Sequence, residues 1–101
     1  MLALIDYGAG NLTSVRKALE HLGASFVTPS DPTELQTCSG IIVPGVGNFE
    51  VTRALAPGWT PAIKAVLERD TPLLGICLGL QWLFEGSEEA PKLAGLGALP
   101  G

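Results

Sequence analysis

Four short apolar runs, each followed by a turn and a helical pattern, constrain this chain most. Leu2–Ile5 reads as a strand buried on both faces, because apolar residues fill successive positions rather than alternate ones, and Gly40–Val43 and Pro72–Ile76 read as the third and fourth strands. Ser25–Thr28 is more polar, which places it nearer an edge. Helical signals lie between these runs. Asn11 can cap a helix that carries Leu12, Val15, Leu19 and Leu22 on one face, with Gly23 as its stop. Asp31-Pro32-Thr33-Glu34 joins an acidic cap, a proline at the first helical position and a Glu in the first turn, so a second helix is expected there. Thr60-Pro61 opens a third, with Ile63, Val66 and Leu67 on one face and an end near Asp70. Leu78–Phe84 is the fourth. The order β-α-β-α-β-α-β-α predicts an α/β fold, an open parallel sheet with helices on both faces. From Glu85 onward the pattern is loop-like, with Pro91, Gly95, Gly97, Pro100 and Gly101.

Composition narrows the function. A chain of 101 residues is one domain. With 47% hydrophobic and 16% charged residues it is not disordered. A net charge of −4 and six scattered basic residues argue against nucleic acid or an anionic membrane as partner. Two Cys and one His build neither a disulfide framework nor a zinc site of the usual ligand count, so no metal is expected. The N-terminal run lacks a basic flank and is too short for a signal peptide. The longest apolar stretch, Leu73–Leu80, is broken by glycines and far short of the roughly 20 residues of a membrane span. Cytoplasmic residence is the default expectation.

In sheets of this kind ligands gather beyond the carboxyl ends of the strands. Tyr7–Asn11, Pro44–Phe49 and Cys77–Gln81 fall there. Gly75-Ile76-Cys77-Leu78-Gly79 has the glycine–nucleophile–glycine spacing of a nucleophile elbow, set between an expected strand and an expected helix. A sharp turn at that point projects the thiol over the first helical turn, where free N–H groups favour a thiolate. The N–H of Leu78 faces the same point and can bind a developing oxyanion. Pro44-Gly45-Val46-Gly47, at the end of the neighbouring strand, can offer a second donor, or be a plain glycine turn. Gln81, one helical turn past Cys77, can bind a polar substrate or simply face solvent. Cys77 itself can be a nucleophile or a small buried hydrophobe. Trp59, Trp82, Leu83 and Phe84 read as core.

A Cys nucleophile usually needs a base held by a third group. His21, the only His, lies about ten residues past Asn11, roughly 15 Å down the first helix toward the opposite edge of the sheet. Cys38 precedes the third strand and belongs at that same edge, as a structural residue. The residues thus hold a nucleophile and oxyanion donors but no base.

Asp6-Tyr7-Gly8-Ala9-Gly10-Asn11, Pro44-Gly45-Val46-Gly47 and Gly75-Ile76-Cys77-Leu78-Gly79-Leu80-Gln81 resemble the class I (triad-type) glutamine amidotransferases, and within them the glutaminase subunits of imidazole glycerol phosphate synthase. The likeness runs on through Gly86-Ser87-Glu88-Glu89 to Gly101. It implies a flavodoxin-like fold and attack by Cys77 on the carboxamide of glutamine, giving a glutamyl thioester and ammonia. It implies that the N–H of Leu78, and one from the Val46-Gly47 region after a peptide rearrangement, hold the oxyanion, and that Gln81 helps bind glutamine. Ammonia would pass to a separate (β/α)8 cyclase subunit in histidine biosynthesis, with Asn11 on the partner-facing side and no cofactor. Members of that family are about twice as long and take their catalytic His and Glu from a His-Pro-Glu stretch near the C-terminus. The 101 residues therefore read as the N-terminal half of such a domain, inactive alone. Two other expectations differ in kind: a Cys-elbow hydrolase of the DJ-1/PfpI group, and a non-catalytic half-domain that self-associates through its unfinished sheet.

Overall fold

The computed structural model describes residues 1–9 and 12–101. Its strands are β1 (Leu2–Leu4), β2 (Phe26–Val27), β3 (Gly40–Val43) and β4 (Leu73–Gly75), and its α-helices are α1 (Leu12–His21), α2 (Trp59–Glu68) and α3 (Leu78–Trp82). The strands form one parallel sheet in the order β2-β1-β3-β4. Leu2 pairs with Phe26 and Gly40, and Val43 with Gly75. The open α/β architecture expected from the strand and helix order is the one observed, and the more polar β2 is at an edge.

Side chains alternate across the strands, so the two central strands, β1 and β3, each serve two cores. Ala3, Ile5, Ile41 and Val43 point into the larger one, with Leu35, Phe49, Leu55, Ile63, Val66, Leu78 and Trp82. Leu4 and Ile42 point the other way, toward Leu19 of α1 and the partly buried Val15, Phe26 and Ile76. α1 is the only helix among the described residues on that second face, and Leu74 of β4 is 56% exposed.

Some details differ from the expectations. The Asp31 start is real: its carboxylate accepts from the Thr33 N–H at 2.8 Å, and Glu34 accepts from the Asp31 N–H at 2.9 Å. Yet the helix it opens is a short 3-10 helix, Pro32–Thr37. Only Leu35 in it is buried, and β3 begins at Gly40, so there is neither an apolar stripe to extend nor room to do so. A second 3-10 segment, Phe49–Leu55, which the sequence pattern does not announce, is capped by Asn48, whose side chain accepts from the Glu50 N–H at 2.9 Å. Finally, Leu22 is not on the apolar face of α1 but 77% exposed. Gly23 (φ 71°) ends α1 with a paired closure, its N–H donating to the Glu20 carbonyl and that of Ala24 to the Leu19 carbonyl, which turns Leu22 outward.

The Asp31 cap carries a pH signature. Its hydrogen bonds from Thr33 hold the carboxyl below its ordinary value of 3.8. A lowered folded-state pKa stabilises above the unfolded value and stops doing so as pH falls through the folded one. Chemical-denaturation midpoints measured from pH 6 down to pH 2.5 should therefore fall less steeply in Asp31→Asn than in the parent chain.

The α3 end and the tail explain one another. α3 stops at Trp82 rather than at Phe84, because amides of the tail take over the free carbonyls. Leu96 N–H donates to the Trp82 carbonyl at 2.7 Å and Gly97 N–H to that of Phe84 at 3.0 Å. The Gly/Pro-rich tail is loop-like apart from a single bridge between Gly86 and Ala94. Trp82 is buried in the larger core, with Trp59 and Leu83 packed against it half-buried. No helix among the described residues is long and apolar enough to cross a membrane.

Candidate active site

β3 and β4 run side by side and end together, Val43 opposite Gly75. The Pro44–Gly47 and Cys77–Gln81 segments, which continue from these strands, therefore meet above the same edge. Cys77 is exposed there, in a backbone conformation (φ 54°, ψ −115°) that L side chains rarely adopt. The two flanking glycines show why the turn can be so tight. A Cβ on Gly79 would lie 1.7 Å from the Val43 carbonyl oxygen, and one on Gly75 would lie 2.8 Å from the backbone of Gly79 and Leu80. Any larger residue at either position would push α3 off the strand ends. The strand–turn–helix expected around Cys77 is present, and the thiol stands on its outside, open to a ligand.

The Pro44–Gly47 loop lies against this elbow in a defined arrangement. Gly45 (φ 149°) and Gly47 (φ 113°) take conformations that favour glycine. The Gly45 carbonyl accepts the N–H of Leu78 at 3.1 Å. That N–H, the oxyanion donor expected from the sequence, is therefore covered by a neighbouring carbonyl in this conformation. Val46, 58% exposed, and Gly47 stand free of the core. Gln81 is exposed one turn beyond Cys77, its N–H bonded to the Cys77 carbonyl at 3.2 Å.

Two side chains to which the sequence pattern assigns no role of their own tie down this loop and its continuation at Phe49, one of them from the Tyr7–Asn11 segment expected at this edge. Tyr7, just past β1, donates its hydroxyl to the Pro44 carbonyl at 2.5 Å. Burial pushes its phenol up to about 12, so it remains a donor at any ordinary pH. Glu89, from the tail, accepts the Phe49 N–H at 3.2 Å. Both contacts join residues about 40 apart in sequence, 37 and 40 positions respectively, which no local pattern can reveal.

His21 and Cys38 lie where expected, away from the elbow. His21 ends α1 just before β2, whose Phe26 pairs with Leu2 at the amino-terminal edge of the sheet. Cys38 is half-buried two residues before β3, its thiol on the Glu34 carbonyl at 3.5 Å. Cys77 is at the carboxyl edge. Asn11, expected on the partner-facing side, lies outside the described residues.

Residues 3–90 match the family described as Glutamine amidotransferase class-I. The chain belongs to that family. Among curated members, it is 50% identical over 103 residues to the imidazole glycerol phosphate synthase subunit HisH of Halalkalibacterium halodurans, covering 100% of this chain and 48% of that one. It is 52% identical over 102 residues to the HisH subunit of Moorella thermoacetica, covering 99% of this chain and 49% of that protein. The chain thus spans about half the length of the curated amidotransferase relatives it matches. A solved structure described as a glutamine amidotransferase superposes with a TM-score of 0.76 over 96% of this chain and 52% of its own, at 22% identity, and so shares the fold.

Proposed function

We propose that residues 1–101 form the nucleophile-bearing half of a glutaminase domain of the HisH kind. The observation that carries this is Cys77 itself, held outward at φ 54° between Gly75, which ends β4 against Gly79 and Leu80, and Gly79, which packs against Val43 at the end of β3. In this reading the Cys77 thiolate attacks the carboxamide carbon of glutamine, and the tetrahedral intermediate collapses to a γ-glutamyl thioester with ammonia as the leaving group. Water then hydrolyses the thioester to glutamate and returns the thiol. The ammonia nitrogen needs a proton from a general acid, and the attacking water must lose one to a base. His21, on the opposite edge, does neither. Those groups come from residues other than these 101, as the triad His and Glu do in the family's pattern.

The same reading assigns the remaining site residues. The Leu78 N–H and one from Val46 or Gly47 stabilise the oxyanion, once the Gly45–Val46 peptide turns its carbonyl away from Leu78. Gln81 contributes to glutamine binding from the rim. Each oxyanion donor is worth about 2.7–4 kcal/mol of barrier in comparable sites. The relatives are subunits of imidazole glycerol phosphate synthase, so the partner assigned to this protein is the (β/α)8 cyclase subunit, which receives the ammonia in the cytoplasm.

Complementation tests this directly. The chain is mixed with a polypeptide carrying the half of the Moorella HisH subunit that it does not cover, and ammonia release from glutamine is followed. Hydrolysis is expected from the pair and from neither piece alone. Cys77→Ser should lower it by at least about 10³-fold, the scale on which loss of a catalytic nucleophile acts. Hydrolysis that survives Cys77→Ser would sink the reading. Equal alkylation of Cys77 by electrophiles with and without glutamine would favour a cysteine hydrolase of another specificity.

A further inference from the structure

We infer that Tyr7 is the positioning residue of the oxyanion loop: by holding the Pro44 carbonyl it keeps Gly45 seated on the Leu78 N–H. The inference rests on the glutaminase reading for its consequence, though not for its geometry. Three contacts converge on two consecutive peptides. The Tyr7 hydroxyl donates to the Pro44 carbonyl, fixing the plane of the Pro44–Gly45 peptide. The same hydroxyl occupies the space of a Gly45 Cβ, 2.1 Å from where it would stand, so ring and glycine are packed as a pair. The next carbonyl along, that of Gly45, then meets the Leu78 N–H.

This arrangement decides how the loop can move. With the Pro44–Gly45 peptide held by Tyr7, exposing the Leu78 N–H leaves only a local turn of the Gly45–Val46 peptide, about the ψ of Gly45 and the φ of Val46. Gly45 tolerates that turn because it has no side chain, and Val46 is exposed and unobstructed. Without the hydroxyl, the whole Pro44–Gly47 segment is free to shift, and the covered state loses its anchor. Because the phenol is neutral at ordinary pH, the anchor is present throughout the working range. Tyr7 therefore acts on the site through the backbone of Gly45 and touches no reacting atom.

Amide hydrogen exchange on the full chain reads this without substrate. In Tyr7→Phe, which keeps the ring and removes the donor, the Leu78 amide should exchange about five- to tenfold faster, the change expected on losing one ordinary hydrogen bond. The Ile5 amide, bonded to the Ile42 carbonyl in the middle of the sheet, should be unchanged. Unchanged exchange at Leu78, or an equal rise at Leu78 and Ile5, overturns the inference, since the second outcome is loss of general stability. If Tyr7→Phe does not fold, difluorotyrosine placed at this position, the single tyrosine of the chain, replaces it. Its ionisation at mildly alkaline pH withdraws the donor within the intact fold. Leu78 protection must then fall across that titration while that of Ile5 does not, and a flat Leu78 again overturns the assignment. Failure of the glutamine complementation with a selective Leu78 response would remove the glutaminase reading alone. The reverse pair of results would remove only the role of Tyr7.

Discussion

Gly79→Ala is expected to abolish cooperative folding of this chain. The added methyl would stand 1.7 Å from the Val43 carbonyl oxygen and 2.6 Å from its carbon, both backbone atoms that cannot rotate away. That oxygen is already used, accepting the Ile76 N–H at 3.0 Å to extend the β3–β4 ladder. Relief requires α3 to retreat by more than an ångström, which also breaks the Leu78–Gly45 bond and unseats Trp82 from the larger core. Overpacking of a core that can partly relax costs about 1–3 kcal/mol. Here the clash is with backbone atoms of Val43 that cannot give way, so a loss of about 5 kcal/mol or more is expected, which reaches the lower end of the roughly 5–15 kcal/mol that keeps a domain folded. Gly97→Ala is the control. Gly97 also has a glycine-favouring φ (75°), but nothing lies within 4 Å of its Cβ position, so only the backbone cost of about 1 kcal/mol applies. Urea titration followed by far-ultraviolet circular dichroism should show a normal transition for Gly97→Ala and none for Gly79→Ala. Comparable midpoints for the two would contradict the close approach of α3 to β3.

The difference between these two glycines also shows what sequence can and cannot reveal. β3 was legible to the residue, because Gly40–Val43 is apolar on both faces and bounded by polar Ser39 and Pro44. The elbow at Cys77 was legible because its chemistry fixes a local spacing: glycines two residues on either side of the turn. The second helix was not, since the Asp31 signal marks where a helix starts and says nothing of how far it runs. What limits Pro32–Thr37 is the nearby start of β3 and the lack of a second buried residue, which are tertiary facts. Gly95 reads as loop punctuation, yet its Cβ position lies 2.1 Å from the Phe84 carbonyl oxygen, so it is a packing glycine. The pairings of Tyr7 and Glu89 are hidden for the same reason, although Tyr7 itself lies in the Tyr7–Asn11 segment expected at the ligand edge. Their partners, Pro44 and Phe49, are remote in sequence, and nothing around Tyr7 or Glu89 announces them.

Cys77→Gly is expected to stabilise the chain while removing its proposed chemistry. The native φ of 54° with ψ of −115° is open to glycine and costs other residues about 1–3 kcal/mol. Glycine in turn adds about 0.5–1 kcal/mol of unfolded-state freedom that folding must overcome. The balance is a net gain on the order of 1 kcal/mol, which raises the midpoint temperature of a chain this size by about 4–8 °C. The thiol is exposed, so its removal leaves no cavity to subtract from that gain. Cys77→Ala separates backbone from side chain, because it deletes the sulfur but keeps the Cβ and hence the strain. Calorimetry should place Cys77→Ala near the parent and Cys77→Gly above both. Equal midpoints for the two variants would mean that no strain is stored at position 77. A gain confined to glycine means that the fold tolerates an unfavourable turn at Cys77, where the proposed nucleophile stands and a side chain is structurally unwelcome.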